Sequence, residues 1–327
     1  MKRIIAICLC VLSIVSLVMV AGCAEKNPAL KFGAGVYVST PATKDATADA
    51  EGTGKVDVTI AGVTLDADGK IVACQLDTAS NTVKFTNDGK AVTNDSFKTK
   101  YELGDSYNMV AYGGATKEWY AQADAFEALV VGKTADEVKA LVASDNKGND
   151  EVVAAGCTVM IHEFVGAIEK ACKAAVESKA TAKDTLKVAV YTEQTTADAT
   201  ADKDGSNKVA SYVFAAAVDA DGKVTAASSD CVEVNFTFDT KGVSTLDTTK
   251  AVASKKEQGD SYNMKAYGGA AKEWYEQAAA FDAACIGKTA SEITALMASD
   301  GKGVADLQSA GCTIYVTGFV KVAEKIK

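Results

Sequence analysis

The sequence has one histidine, His162, and no C-x-x-C pair. A zinc site, which draws its ligands from several Cys and His side chains, is therefore not expected, nor is any other metal centre. No nucleophile elbow is present, and a lone histidine gives a serine-type hydrolase nothing to repeat in a second copy. No catalytic residue is assigned. Bases are also short, at 34 Lys+Arg against 43 Asp+Glu, for a net charge of -9. Nucleic acid phosphates demand a basic footprint, so this balance argues against DNA or RNA as a partner. It fits a surface protein kept apart by like charge. After Val20 no apolar run reaches the roughly 18 residues that would span a membrane.

What is present begins with Met1-Lys2-Arg3, followed by an apolar run from Ile4 to Val20 broken only by Ser13 and Ser16. A basic start, an apolar stretch and small residues after it make a secretory signal rather than a membrane span. Val20-Ala21-Gly22-Cys23 resembles the bacterial lipobox. That resemblance implies a signal peptide over 1–22, cleavage before Cys23, acylation of its thiol and a short tether over 23–30. The mature chain would then be anchored by lipid to the extracytoplasmic face of the cell membrane. Of nine cysteines, Cys8 and Cys10 leave with the signal and Cys23 takes lipid. Six remain: Cys74, Cys157, Cys172, Cys231, Cys285 and Cys312. An even count in an exported protein permits disulfides. Only Cys157 and Cys312 sit at matching places in the repeat described next, so the reading favoured is buried free thiols packing as small hydrophobes.

The chain contains one long stretch twice. Gly104-Asp105-Ser106-Tyr107-Asn108-Met109 returns 155 residues later as Gly259-Asp260-Ser261-Tyr262-Asn263-Met264. Between 104–145 and 259–300, 30 of 42 positions are identical without a gap. A period of this length is a whole domain and not a solenoid unit. Two tandem domains follow, over 31–176 and 177–327.

Each begins as a sheet. Val56, Val58 and Ile60 alternate with Asp57 and Thr59, the pattern of a half-buried strand. Asp66-Ala67-Asp68-Gly69-Lys70 is a hairpin turn, Ile71–Leu76 is the returning strand, and Asn87–Lys90 marks a second turn. Val36–Val38 is a further strand, and Val188–Val190 is its counterpart. The Thr, Ala, Asp and Gly-rich stretches 39–55 and 195–206 lack an apolar period and predict loops. Helices come next. Trp119, Ala123, Phe126 and Val130 form one apolar face. Thr134 with Glu137, and Thr289 with Glu292, have capping-box spacing. Last come helices starting near His162 and Thr317, the first predicted to continue into 173–187. His162, whose counterpart is Thr317, reads as an incidental surface residue. The fold class is α+β: two tandem copies of an antiparallel sheet with helices on one face or end.

With these residues in view, the chain resembles the FMN-binding domain family of exported, often flavinylated proteins. Three features carry the resemblance: the strand–Asp-Ala-Asp-Gly-Lys–strand unit at 56–76 and 212–227, the Gly-Lys-Thr ends at 132–134 and 287–289, and Gly156-Cys157-Thr158 with Gly311-Cys312-Thr313 ahead of a helix. The chain departs from the family pattern at Ala155 and Ala310, where Ser or Thr stands in the family, at Cys157 and Cys312, and in the placing of Glu151 and Asp306. The resemblance implies FMN on Thr158 and Thr313 through a phosphoester, with Gly156, Gly311, Cys157 and Cys312 in the same site. It also implies a flavin transferase and a membrane redox partner, in an electron carrier rather than an enzyme with its own substrate. The residues themselves suit a ligand. Glycine lets the backbone approach a bulky group, and a helix start beyond it offers N–H groups to phosphate. Tyr107, Tyr112, Trp119 and Tyr120, with Tyr262, Tyr267, Trp274 and Tyr275, are rings available to a flavin. Gly113–Thr116 reads as a glycine-rich turn, because its counterpart ends in Ala271. The competing reading is a flavin-free surface lipoprotein that keeps the fold as a binding or structural module.

Overall fold

The structure, a computed structural model, describes residues 28–94 and 96–326. The signal peptide, Cys23 and the tether as far as residue 27 lie outside the described residues.

Three long strands open the first half: β1 (Lys31–Lys44), β2 (Gly52–Leu65) and β3 (Ile71–Phe85), paired antiparallel in chain order. The turn between β2 and β3 is built by Asp66, whose Oδ1 accepts the N–H groups of Asp68 and Lys70 at 2.9 Å each. A short β4 (Ala91–Val92) returns along β3. Helices follow: α1 (Lys100–Leu103), α2 (Trp119–Val130), α3 (Ala135–Lys139), α4 (Asp150–Ala155) and α5 (His162–Ala174). Then β5 (Val176–Glu177) joins the outer edge of β1. The first sheet is ordered β4-β3-β2-β1-β5. A domain boundary at 176/177 therefore falls inside β5.

The second half repeats this with β6 (Thr185–Ala197), β7 (Gly205–Val218) and β8 (Val224–Phe238) in a three-stranded antiparallel sheet. Its helices are α6 (Lys255–Gln258), α7 (Met264–Gly268), α8 (Trp274–Cys285), α9 (Ala290–Thr294), α10 (Ala305–Ser309) and α11 (Thr317–Ala323). The fold is α+β, with two antiparallel sheets and their helices. No helix of the described residues is long and apolar enough to cross a membrane.

Three local expectations change. Residues 39–55 are mostly strand: β1 runs on to Lys44 and β2 starts at Gly52. Threonine suits a pleated surface, and the register shift between Ser39 and Ala42 takes up Pro41, which has no N–H to give a ladder. Residues 195–197 likewise extend β6. The helix expected to run into 173–187 stops at Ala174, because Val176 and Glu177 find the open edge of β1.

Alternation along β2 sorts its side chains between two cores. Val56, Val58 and Ile60 pack against Val213, Val232 and Phe236 of the other sheet. Ala61, Val63 and Leu65 face α2 and α5 with Phe126, Phe164 and Ile168. The second half has its own helix-side core around Trp274, Phe281 and Phe319. The layers are thus helices, sheet, sheet, helices, and the half-buried strand of the sequence reading is buried on both faces. At the sheet–sheet seam the rings of Phe85 and Phe238 stack with centroids 4.6 Å apart and planes 3° from parallel. Both are fully buried, which stabilises the folded state by about 1.5–3 kcal/mol for each ring.

Candidate functional site

The two threonines of the Gly-Cys-Thr motif lie in equivalent, exposed places. Each follows a short helix, α4 or α10, on an extended link leading to α5 or α11. The site is therefore a helix–helix link. Gly156 and Gly311 turn the chain with φ of 98° and 101°, the left-handed region glycine tolerates best. A Cβ at either position would also meet the amine of Lys117 or Lys272, at 2.4 and 2.2 Å. The Lys272 amine donates to the Ala310 carbonyl at 3.0 Å. Both glycines thus make room for a lysine, which in the second half closes the helix end. Cys157 and Cys312 point inward, fully buried in the two helix-side cores. Burial pushes both thiols up to about 11. The six cysteines among the described residues are free.

A buried glutamine holds each threonine. Gln277 Oε1 accepts the Thr313 N–H at 2.8 Å and its hydroxyl at 3.0 Å. Gln277 Nε2 donates to the Lys272 carbonyl and the Met264 sulfur. Gln122 does the same for Thr158, at 2.8 and 2.9 Å, from Lys117 and Met109. One residue before each helical tryptophan, Glu118 or Glu273 caps the neighbouring loop. Glu118 accepts the N–H groups of Met109 and Val110, and Glu273 those of Met264 and Lys265. These residues were visible as part of the repeated Lys-Glu-Trp-Tyr and Gln positions, but their reach to a threonine 36 residues on was not.

In the second half the link, the loop 263–270 and the start of α8 enclose a cavity of about 410 Å³, within the range of small-ligand pockets. Tyr212, Tyr262, Trp274, Tyr315 and Phe319 line it, with Thr313 and Gln277. Of the rings expected from the sequence, Tyr262 and Trp274 are there. Tyr267 and its counterpart Tyr112 stand in solvent, 89% and 87% exposed. Tyr120 and Tyr275 donate their hydroxyls to Asp105 and Asp260. Tyr212 and Tyr315 were missed, since no spacing ties a strand and a distant loop to the motif.

Positive charge reaches this cavity from side chains. The Lys255 amine sits 5.2 Å from the ring centre of Tyr262 and 5.6 Å from that of Trp274, and pairs with Glu233 at 3.0 Å. Lys302 stands 5.7 Å from the ring of Tyr315. In the first half Lys100 lies likewise over Tyr107 and Trp119. The helix starts contribute less than the sequence suggested. The N–H groups of Ile161 and His162 both donate to the Asn146 carbonyl, and that of Val316 to Gly301. His162 is only partly exposed, edge-on to Tyr37, with its Nδ1 buried and unpartnered.

A second polar cluster lies away from the motif. Glu127, on α2, accepts the Leu76 N–H at 2.7 Å and the Gln75 amide at 3.1 Å. Burial, with Asp124 nearby, pushes its carboxyl up to about 8. In the second half Asp282 holds the matching place, but Lys256 stands 3.3 Å from it. Tyr101 occupies the position of Lys256 in the first half, so among the described residues no lysine pairs with Glu127. No group of three or more His, Cys, Asp or Glu among the described residues could hold a metal ion.

No protein-family model, no curated protein and no solved structure matches the chain.

Proposed function

We propose that the chain is an extracytoplasmic lipoprotein, tethered to the membrane surface by acylated Cys23, that carries FMN at the Gly-Cys-Thr grooves and relays electrons to a membrane redox partner. The observation that carries this reading is the second-half cavity, lined by five aromatic residues together with Lys302 and Thr313. That donor set fits a planar aromatic group bearing a phosphate. Tyr262 and Tyr315, the latter 67% exposed, offer ring surface for the ring system. Lys302 offers charge to the phosphate. Gln277 holds Thr313 so that its oxygen stays at the surface, where a flavin transferase could reach it. Bound flavin would supply one- and two-electron redox chemistry, which no side chain here provides.

Co-expression with a flavin transferase in the exporting compartment, followed by intact mass spectrometry, tests the reading. A mass gain of one or two FMN phosphoesters is expected, together with a flavin absorption spectrum in protein taken from its native envelope. An unmodified mass beside a fully modified control substrate, with no flavin absorption, would leave the flavin-free lipoprotein.

A further inference from the structure

Three of the differences between the two halves around the groove bear on what it can hold. Thr59 of β2 and Tyr212 of β7 are equivalent, facing Tyr37 and Tyr191 across the ladder. Glu163 and Gly318 are the second residues of α5 and α11. Met160 and Tyr315 sit two residues after the threonine in each link.

The first two differences are coupled. A Cβ on Gly318 would lie 2.4 Å from the ring of Tyr212. The large ring on the strand therefore requires glycine on the helix. In the first half the strand residue is small, and the helix residue fills the space with a carboxylate. The Ser39 hydroxyl donates to Glu163 Oε1 at 2.6 Å, and the Thr59 hydroxyl approaches Oε2 at 3.5 Å. Glu163 thus brings a negative charge to the place where the second half has an aromatic ring. An anionic ligand there would meet like charge, and a flat apolar ligand would have to desolvate a carboxylate. Met160 in place of Tyr315 removes one more ring.

We infer that the grooves are unequal: the second half, with Tyr212 and Tyr315, takes the flavin, and Glu163 excludes it from the first. The inference rests on the flavin reading and sharpens it to one FMN per chain, next to Thr313. Thr158 keeps the local geometry of a site without the surroundings of one.

Titration of flavin-free purified protein with FMN, followed by quenching of flavin fluorescence, tests this. One equivalent should bind per chain. Tyr315→Met, at a position 67% exposed and so harmless to folding, should weaken binding about three- to tenfold. Met160→Ala, also exposed, should change nothing. Thr59→Tyr with Glu163→Gly should open a second equivalent. Two equivalents bound by the wild type, or loss of binding in Met160→Ala and not in Tyr315→Met, would overturn the inequality while leaving the flavin reading. Absence of any noncovalent FMN binding would overturn the inequality and leave the flavin reading to the mass measurement with the transferase.

Discussion

The amine of Lys325 lies 2.8 Å from the carboxylate of Glu102, so the last helical turn of the second half closes onto the first helix of the first half. Lys170 does the converse, 2.5 Å from Glu257. Each glutamate completes the capping box of α1 or α6. Each lysine also donates at 2.8 Å to a carbonyl of its own half, Val36 or Val190. The repeat in sequence has become a pair of reciprocal contacts in space.

Both pairs are about one-third exposed, so each is worth about 0.2–1 kcal/mol. Lys325→Met should lower stability by that amount in urea unfolding. Addition of salt should narrow the gap between wild type and variant. A midpoint that does not move would show the contact to be energetically idle.

The sheet–sheet seam should make the two halves unfold together. Circular dichroism and tryptophan fluorescence are expected to report one coincident transition. Phe238→Ala, which leaves a hole against Phe85, should cost about 3–5 kcal/mol. Two resolved transitions in the wild type would contradict a shared core.

Glu127 links stability to pH. Its folded carboxyl is raised from 4.5 to about 8, so the native state holds a proton that the unfolded chain has released. That contribution is complete below about pH 4.5 and is lost as pH rises through about 8. Stability should fall by up to about 5 kcal/mol from this group between those limits. Glu127→Gln keeps an acceptor for the Leu76 N–H and should flatten the profile. An equal slope in the variant would assign the effect to another group.

Gln277→Ala should cost about 0.5–1.5 kcal/mol, because it removes the half-buried hydrogen bonds to Thr313 and the Lys272 carbonyl. It should also speed hydrogen exchange at the Thr313 amide. Thr313→Val and Thr158→Val should cost less than about 1 kcal/mol, since both threonines are exposed. Slow exchange at Thr313 in Gln277→Ala would mean that the glutamine does not hold the link.

Cys23→Ala should abolish acylation and release the protein from membranes, read by lipid labelling and fractionation. Wild-type protein found soluble with an unmodified Cys23 would end the anchoring proposal.

The sequence alone carried the duplication, the α+β class, the hairpin turns at Asp66–Lys70 and 219–223, the Trp119 face and the Thr134–Glu137 cap. All rest on interactions between residues a few places apart, or on direct identity between copies. Tertiary structure decided the rest. Alternation along β2 reads as one buried face, because a sequence does not say that a second sheet will cover the other. Strand pairing overrode the loop-like composition of 39–44 and 195–197 and ended α5 before β5, since an open edge offers hydrogen bonds that local propensity does not weigh. The near-identity of the copies hid the exchange of Thr59 and Glu163 for Tyr212 and Gly318, whose members lie about a hundred residues apart. Only packing of the strand against the helix shows that the ring and the glycine depend on each other, since two atoms cannot share one space.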